Sequence, residues 1–145
     1  MILGSDAETR AAGAALSRQL RAGDIVTIEG PLGAGKTTFV RGLLAALGHS
    51  GEVPSPTFAI VQPYDELRLP VWHADLYRIE GPGDLDELGL ESILDEGALV
   101  VEWPGRAGET AFPTALALSL DVQAHNARRL TAKVPPAWEG RWPLP

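Results

Sequence analysis

The chain has 145 residues, 45% of them apolar and 21% charged, enough for one domain with its own core. Twelve basic and 19 acidic residues leave a net charge of −7, which argues against gripping DNA or RNA unaided, because neutralising phosphates needs a basic surface. No cysteine means no disulfide and no thiolate metal site, and the absence of a long apolar run or a basic-then-apolar start reads as a cytoplasmic protein with no membrane contact.

Ser5-Asp6-Ala7-Glu8 has the form of a capping box and predicts a helix from there to about Leu20, with Ala12, Leu16 and Leu20 facing inward and Gly23 as its stop. Residues 24–29 form a strand-like run. It leads into Gly30-Pro31-Leu32-Gly33-Ala34-Gly35-Lys36-Thr37, which matches the phosphate-binding pattern of Gly, four residues, then Gly-Lys-Ser/Thr. Thr38 follows, and Phe39, Val40, Leu43, Leu44 and Leu47 fall on one face of the next helix. Strand before and helix after are the context such a loop requires.

The residue types suit that chemistry. Glycines open backbone conformations in which consecutive N–H groups point inward, and the helix adds its unpaired first-turn N–H groups. Lys36 is then placed for the β- and γ-phosphates, and the Thr37 hydroxyl for Mg²⁺. The chain has ten arginines and only two lysines, Lys36 and Lys133, so one of its few compact ammonium groups falls on that position.

Past Gly48, the two prolines of Val53-Pro54-Ser55-Pro56-Thr57-Phe58 exclude helix and central strand. The segment is either an arm in which Thr57 or Ser55 senses the γ-phosphate, or an ordinary proline-rich connection. Residues 58–61 and 71–74 are short strand candidates, the second running into Asp75-Leu76-Tyr77-Arg78. His73 and Asp75 would share a strand face, but two residues are too few for a metal site. Asp75, at a strand end, is either the residue that orients an attacking water or a turn aspartate.

Gly81-Pro82-Gly83-Asp84 reads as a turn, with Asp84 capping a short helix through Leu88 and another short helix at 91–94. Asp86-Glu87-Leu88-Gly89 matches an Asp-x-x-Gly element formally, but it lies in a helical pattern and no guanine-reading motif follows. Ala98-Leu99-Val100-Val101-Glu102 is a continuous apolar run of the kind buried in a parallel sheet, ended by Trp103-Pro104. Its terminal acid is placed as a magnesium partner, reached through water, or as a simple strand-end carboxylate. Residues 114–120 and 128–134 read as an antiparallel strand pair. The remainder, 135–145, is rich in proline and tryptophan; it either packs on the domain or a partner, or stays disordered.

The expected architecture is therefore α/β, an open mixed sheet with a parallel core and antiparallel edge strands flanked by helices, over residues 1–134 with a tail at 135–145. Leu32-Gly33-Ala34-Gly35-Lys36-Thr37-Thr38-Phe39, Ser55-Pro56-Thr57-Phe58, His73-Ala74-Asp75-Leu76-Tyr77-Arg78 and Glu102-Trp103-Pro104, in this order and spacing, resemble the TsaE (YjeE) family of small bacterial P-loop ATPases. The likeness spans about residues 5–134. Pro31 departs from it, since an aspartate is common there, and should leave phosphate binding intact.

That resemblance implies ATP and Mg²⁺ as cofactors and a part in making N6-threonylcarbamoyladenosine in tRNA. It also implies docking to a TsaB–TsaD complex, so that tRNA is met only indirectly. It implies that Lys36 and Asp75 serve hydrolysis, that residues Leu32 to Thr38 hold the phosphates, and that Thr37 and Glu102 hold Mg²⁺. Thr57 would belong to a nucleotide-responsive arm, and Asp6 and Arg128 would flank the base. Hydrolysis is expected to be slow without partners, no arginine finger being evident in the motifs. The alternatives are a small-molecule kinase on the same loop, which would need an arginine-bearing lid, and a switch module in which hydrolysis is incidental.

Overall fold

In the computed structural model of the chain, residues 1–31, 33–53, 61–79, 89–108 and 111–142 are described. The element order is β1 (Ile2–Leu3), α1 (Asp6–Ser17), β2 (Ile25–Glu29), α2 (Lys36–Ala46), β3 (Val61–Tyr64), β4 (Val71–Asp75), β5 (Ala98–Glu102), β6 (Leu116–Val122) and β7 (Arg128–Lys133), with short 3₁₀ turns between the later strands. The strands form one seven-stranded sheet in the order β1-β7-β6-β2-β5-β4-β3. Strands β6, β2, β5 and β4 run parallel, while β7 against β6, β1 against β7 and β3 against β4 are antiparallel. This is the open mixed sheet that the strand pattern predicts.

β2 has the first half of the parallel core on one side and the second on the other, because β5 and β6 both pair with it. Such a switch point opens a crevice beyond the strand's C-terminal end, and the glycine loop 30–35 lies there. Alternation along the strands sorts the side chains. Val26 and Ile28, Val71, His73 and Asp75, Ala98, Val100 and Glu102 share one face, as their register shows. The apolar members of that set pack with Leu16 of α1 and with Phe39, Val40, Leu43 and Leu44 of α2. The opposite face carries Ala74, Leu99 and Val101, which pack with Leu76, Ile79, Ala107, Ile93 and Phe112.

α1 and α2 touch through backbone. A Cβ on Gly13 would lie 2.0 Å from the Phe39 carbonyl oxygen, and one on Gly42 2.0 Å from that of Arg10. The two glycines therefore let α1 and α2 cross at backbone contact, and Thr9 of α1 lies near Gly35.

Several local expectations are corrected. The Ser5 cap forms, its Oγ accepting from the Glu8 N–H at 3.2 Å, but α1 stops at Ser17 and not near Leu20. The Ser17 hydroxyl donates to the Ala14 carbonyl at 2.6 Å, and turns carry the chain on to a buried Leu20. Gly23 is not the helix stop; its N–H donates to the Gly97 carbonyl at 2.9 Å, joining the approach to β2 with that to β5. Of the strand expected over 58–61, Val61 is in β3, which runs on to Tyr64 through residues expected to be turn, and 58–60 lie outside the described residues. The turn and helix expected over 81–88, and residues 54–60 with Ser55 and Thr57, lie outside the described residues.

The C-terminal segment packs on the domain. Trp138 is 1% exposed and belongs to the main core. Arg141 pairs with Asp24 through two contacts, of 2.7 and 3.0 Å. It also donates to the Gln19 and Ala137 carbonyls and stacks on the Trp138 ring at 3.9 Å. Among the described residues no helix is long and apolar enough to cross a membrane.

Candidate functional site

A cleft of about 450 Å³ opens beyond the C-terminal ends of the parallel strands, within the size range of small-molecule sites. It is lined by Asp6, Gly33, Ala34, Gly35, Lys36, Thr37, Thr38, Asp75, Tyr77, Glu102, Trp103 and Arg128. Of the residues singled out from the sequence, Asp6, residues 33–38, Asp75, Glu102 and Arg128 are thus brought together. Leu32 and Thr57 lie outside the described residues.

The floor is the start of α2. Its N-cap is Gly35 at φ 98°, a left-handed conformation that costs glycine nothing, and no side chain among the described residues caps the first turn. The N–H groups that open a helix have no intrahelical acceptor, so Lys36, Thr37 and Thr38 present unpaired donors and the positive end of the helix dipole at the cleft. Gly30 keeps the loop tight against the sheet, since a Cβ there would lie 2.3 Å from the Leu120 carbonyl oxygen.

Lys36 is 6% exposed. Its Nζ donates to the Gly30 carbonyl and lies 3.8 Å from the centre of the Trp103 ring. Burial lowers its pKa, opposed by the attraction of Glu102, Asp75 and Glu29. Trp103 sits at φ 58°, an unusual conformation for so large a side chain, directly after Glu102. That turn brings its ring over Lys36, and the Tyr77 ring lies 4.9 Å from it. Neither aromatic was singled out from the sequence as a cleft residue. The Trp103-Pro104 break after a buried strand is the signal that could have suggested one of them.

The acidic wall comes from neighbouring strand ends. Asp75 and Glu102 are register partners of β4 and β5, exposed by 7% and 2%. Asp75 Oδ1 accepts from the Tyr77 N–H at 2.9 Å, so the aspartate does form a turn while the side chain lines the cleft. Its pKa is raised by burial and by the Glu102 charge, against the lowering effect of the Tyr77 bond. Glu102 Oε2 lies 2.6 Å from Nε2 of the fully buried His73. His73 and Asp75 share a face as the alternation requires, but the imidazole bonds the glutamate. At the far wall, Arg128 donates to the Gly33 carbonyl at 3.1 Å, and its Nε is buried without a partner among the described residues.

The donor set suits a hard cation together with an anion. The Thr37 hydroxyl and two carboxylates offer oxygen atoms of the kind a hard cation takes, while Lys36, Arg128 and the helix N–H groups offer donors to an anion. Among the described residues no group of three or more His, Cys, Asp or Glu side chains could by itself hold a metal. An ion here would take the rest of its shell from water and from the anion, which is how Mg²⁺ is commonly bound.

Three comparisons place the chain among known proteins. The family model described as threonylcarbamoyl adenosine biosynthesis protein TsaE matches residues 3–131. The tRNA threonylcarbamoyladenosine biosynthesis protein TsaE of Rickettsia felis is 33% identical over 129 residues, covering 88% of this chain and 75% of its own. Its Streptomyces coelicolor namesake is 42% identical over 115 residues, 77% of this chain and 78% of its own. The crystal structure of YdiB from Bacillus subtilis superposes with a TM-score of 0.82 at 30% identity, over 97% of this chain and 88% of that one.

Proposed function

The chain belongs to the TsaE family, whose members act in tRNA threonylcarbamoyladenosine biosynthesis, and from that premise we propose that it is a P-loop ATPase driving that pathway through a TsaB–TsaD-type complex. The observation that carries the proposal is the meeting in one cleft of an uncapped helix start, Lys36 and Thr37 with the strand-end acids Asp75 and Glu102.

The triphosphate lies along residues 33–38. Backbone N–H groups hold its oxygens, and Lys36 leaves the Gly30 carbonyl and the Trp103 ring to meet the γ-phosphate. Thr37 and Glu102 would hold Mg²⁺, which would offset the charge of the β- and γ-phosphates. Asp6 and Arg128, at the other side of the loop, flank the base. Asp75 has one carboxylate oxygen fixed by the Tyr77 N–H and the other available to orient a water for in-line attack on the γ-phosphorus. The new O–P bond forms as the bond to the β–γ bridging oxygen breaks, the water's protons passing to the phosphate and to solvent as ADP and phosphate are released. Lys36 and the N–H groups stabilise the charge on the departing phosphoryl oxygens.

No arginine other than Arg128 lines the described cleft, so turnover is slow until a partner completes it. The chain reaches tRNA only through the complex, in keeping with its net charge of −7 and a cytoplasmic setting. Steady-state ATP hydrolysis by the chain alone and with TsaB and TsaD homologues tests this. The rate rises in the complex; brisk hydrolysis by the isolated chain, unchanged by the partners, contradicts the proposal.

A further inference from the structure

We propose that His73 is the positioning residue for Glu102, an imidazole N–H that fixes the carboxylate in the orientation from which it meets the cation of a bound magnesium–nucleotide. The inference rests on the magnesium reading just given and adds a residue that the cleft does not touch.

Strand alternation puts His73 on the face of Val71 and Asp75 in β4, beside Val100 and diagonal to Glu102 in β5. Both side chains are out of water, His73 wholly and Glu102 at 2% exposure, and they meet at 2.6 Å. An ionised carboxylate can only accept, so Nε2 carries the hydrogen. His73 Nδ1 is buried with no partner among the described residues. An orphaned N–H there would cost more than an unused lone pair, which selects the Nε2–H tautomer.

Among the described residues the imidazole is therefore anchored at one end only, on Glu102. On this face Val71, Ala98 and Val100 around it are apolar and fully buried, with Asp75 further along β4 and Gln62 opposite on β3 as the polar neighbours. A leucine would suit that core better than a half-satisfied imidazole, so what the histidine contributes lies in its bond to the glutamate. It occupies Oε2 of a glutamate that lines the cleft, which leaves Oε1 for the cation. His73 does not line the cleft and acts through Glu102 alone.

The test compares ATP affinity with Mg²⁺ and in EDTA, by calorimetry, for the wild type, His73→Leu and His73→Gln. His73→Leu is expected to leave metal-free affinity unchanged and to cut the Mg²⁺-dependent gain roughly tenfold. His73→Gln, whose amide can still donate to Glu102, restores most of it. A full Mg²⁺ gain in His73→Leu, or an equal fall in both affinities as a purely structural role would give, overturns the proposal. If the leucine variant does not fold, nitrogen-15 NMR of wild-type histidine decides. An Nε2–H tautomer whose signal moves with MgATP and not with metal-free ATP supports it, and an Nδ1–H tautomer overturns it. A wild type with no Mg²⁺ gain at all removes the magnesium reading itself, whereas a gain retained in His73→Leu removes only the role of His73.

Discussion

Asp75 and Glu102 end adjacent parallel strands in direct register, two buried acids side by side with Lys36 close enough to affect the pKa of the first. Burial and the Glu102 charge hold the Asp75 carboxyl above its ordinary value of 3.8. The folded state thus binds this proton more tightly than the unfolded chain does. Its stabilising contribution is complete below pH 3.8 and is lost as pH rises through the raised value. At neutral pH the ionised aspartate is a burden on the fold. Asp75→Asn, which keeps an acceptor for the Tyr77 N–H, should raise stability to urea at pH 7.5, and the advantage should narrow as the pH falls toward 4.

The same variant separates turnover from nucleotide sensing. Asp75→Asn is expected to retain ATP binding while hydrolysis by the TsaB–TsaD-bound protein drops at least roughly a hundredfold, as removal of a group acting directly on the nucleophile does. Multiple-turnover tRNA modification should stop with it. Modification that continues at the wild-type rate would assign the chain to nucleotide-dependent switching.

Gly42 against the Arg10 carbonyl predicts a defect that travels. Gly42→Ala places a methyl 2.0 Å from that oxygen, so the helices must part. The expected cost is about 2–3 kcal/mol, measured by chemical denaturation. Because α1 carries Asp6 and Thr9 to the loop, nucleotide affinity should fall as well.

Arg141 predicts a defect far from the cleft. Its guanidinium is buried on Asp24, two carbonyls and the Trp138 ring. Arg141→Ala leaves the Asp24 carboxylate with the Arg21 N–H as its remaining hydrogen bond at the start of β2. The variant should lose about 3 kcal/mol in urea denaturation while ATP affinity in the folded protein is kept.

What could be read from the sequence follows how local each signal is. The glycine loop, the faces of β2 and α2, the apolar run ending in Glu102 and the hairpin of β6 and β7 are written in spacing of a few residues, and the structure has each of them. β1 was not legible, because Ile2 and Leu3 become a strand only by pairing with Arg129 and Arg128. Beyond Val61, β3 was not legible, since the polar residues after it read as turn; at the sheet's edge the missing N–H of Pro63 is tolerated. The bonds His73–Glu102 and Arg141–Asp24 join positions 29 and 117 residues apart, and no periodicity announces them. Trp103 covers Lys36 only because a left-handed turn follows the strand, which its Pro104 neighbour hints at without specifying.

Titration calorimetry of MgATP against the wild type and Lys36→Ala tests the nucleotide site most directly. The wild type should take up one MgATP, and Lys36→Ala should bind it roughly 50- to 100-fold more weakly, about 2–3 kcal/mol for the lost charged hydrogen bonds. No uptake by the folded wild type, or equal uptake by both proteins, would contradict the account.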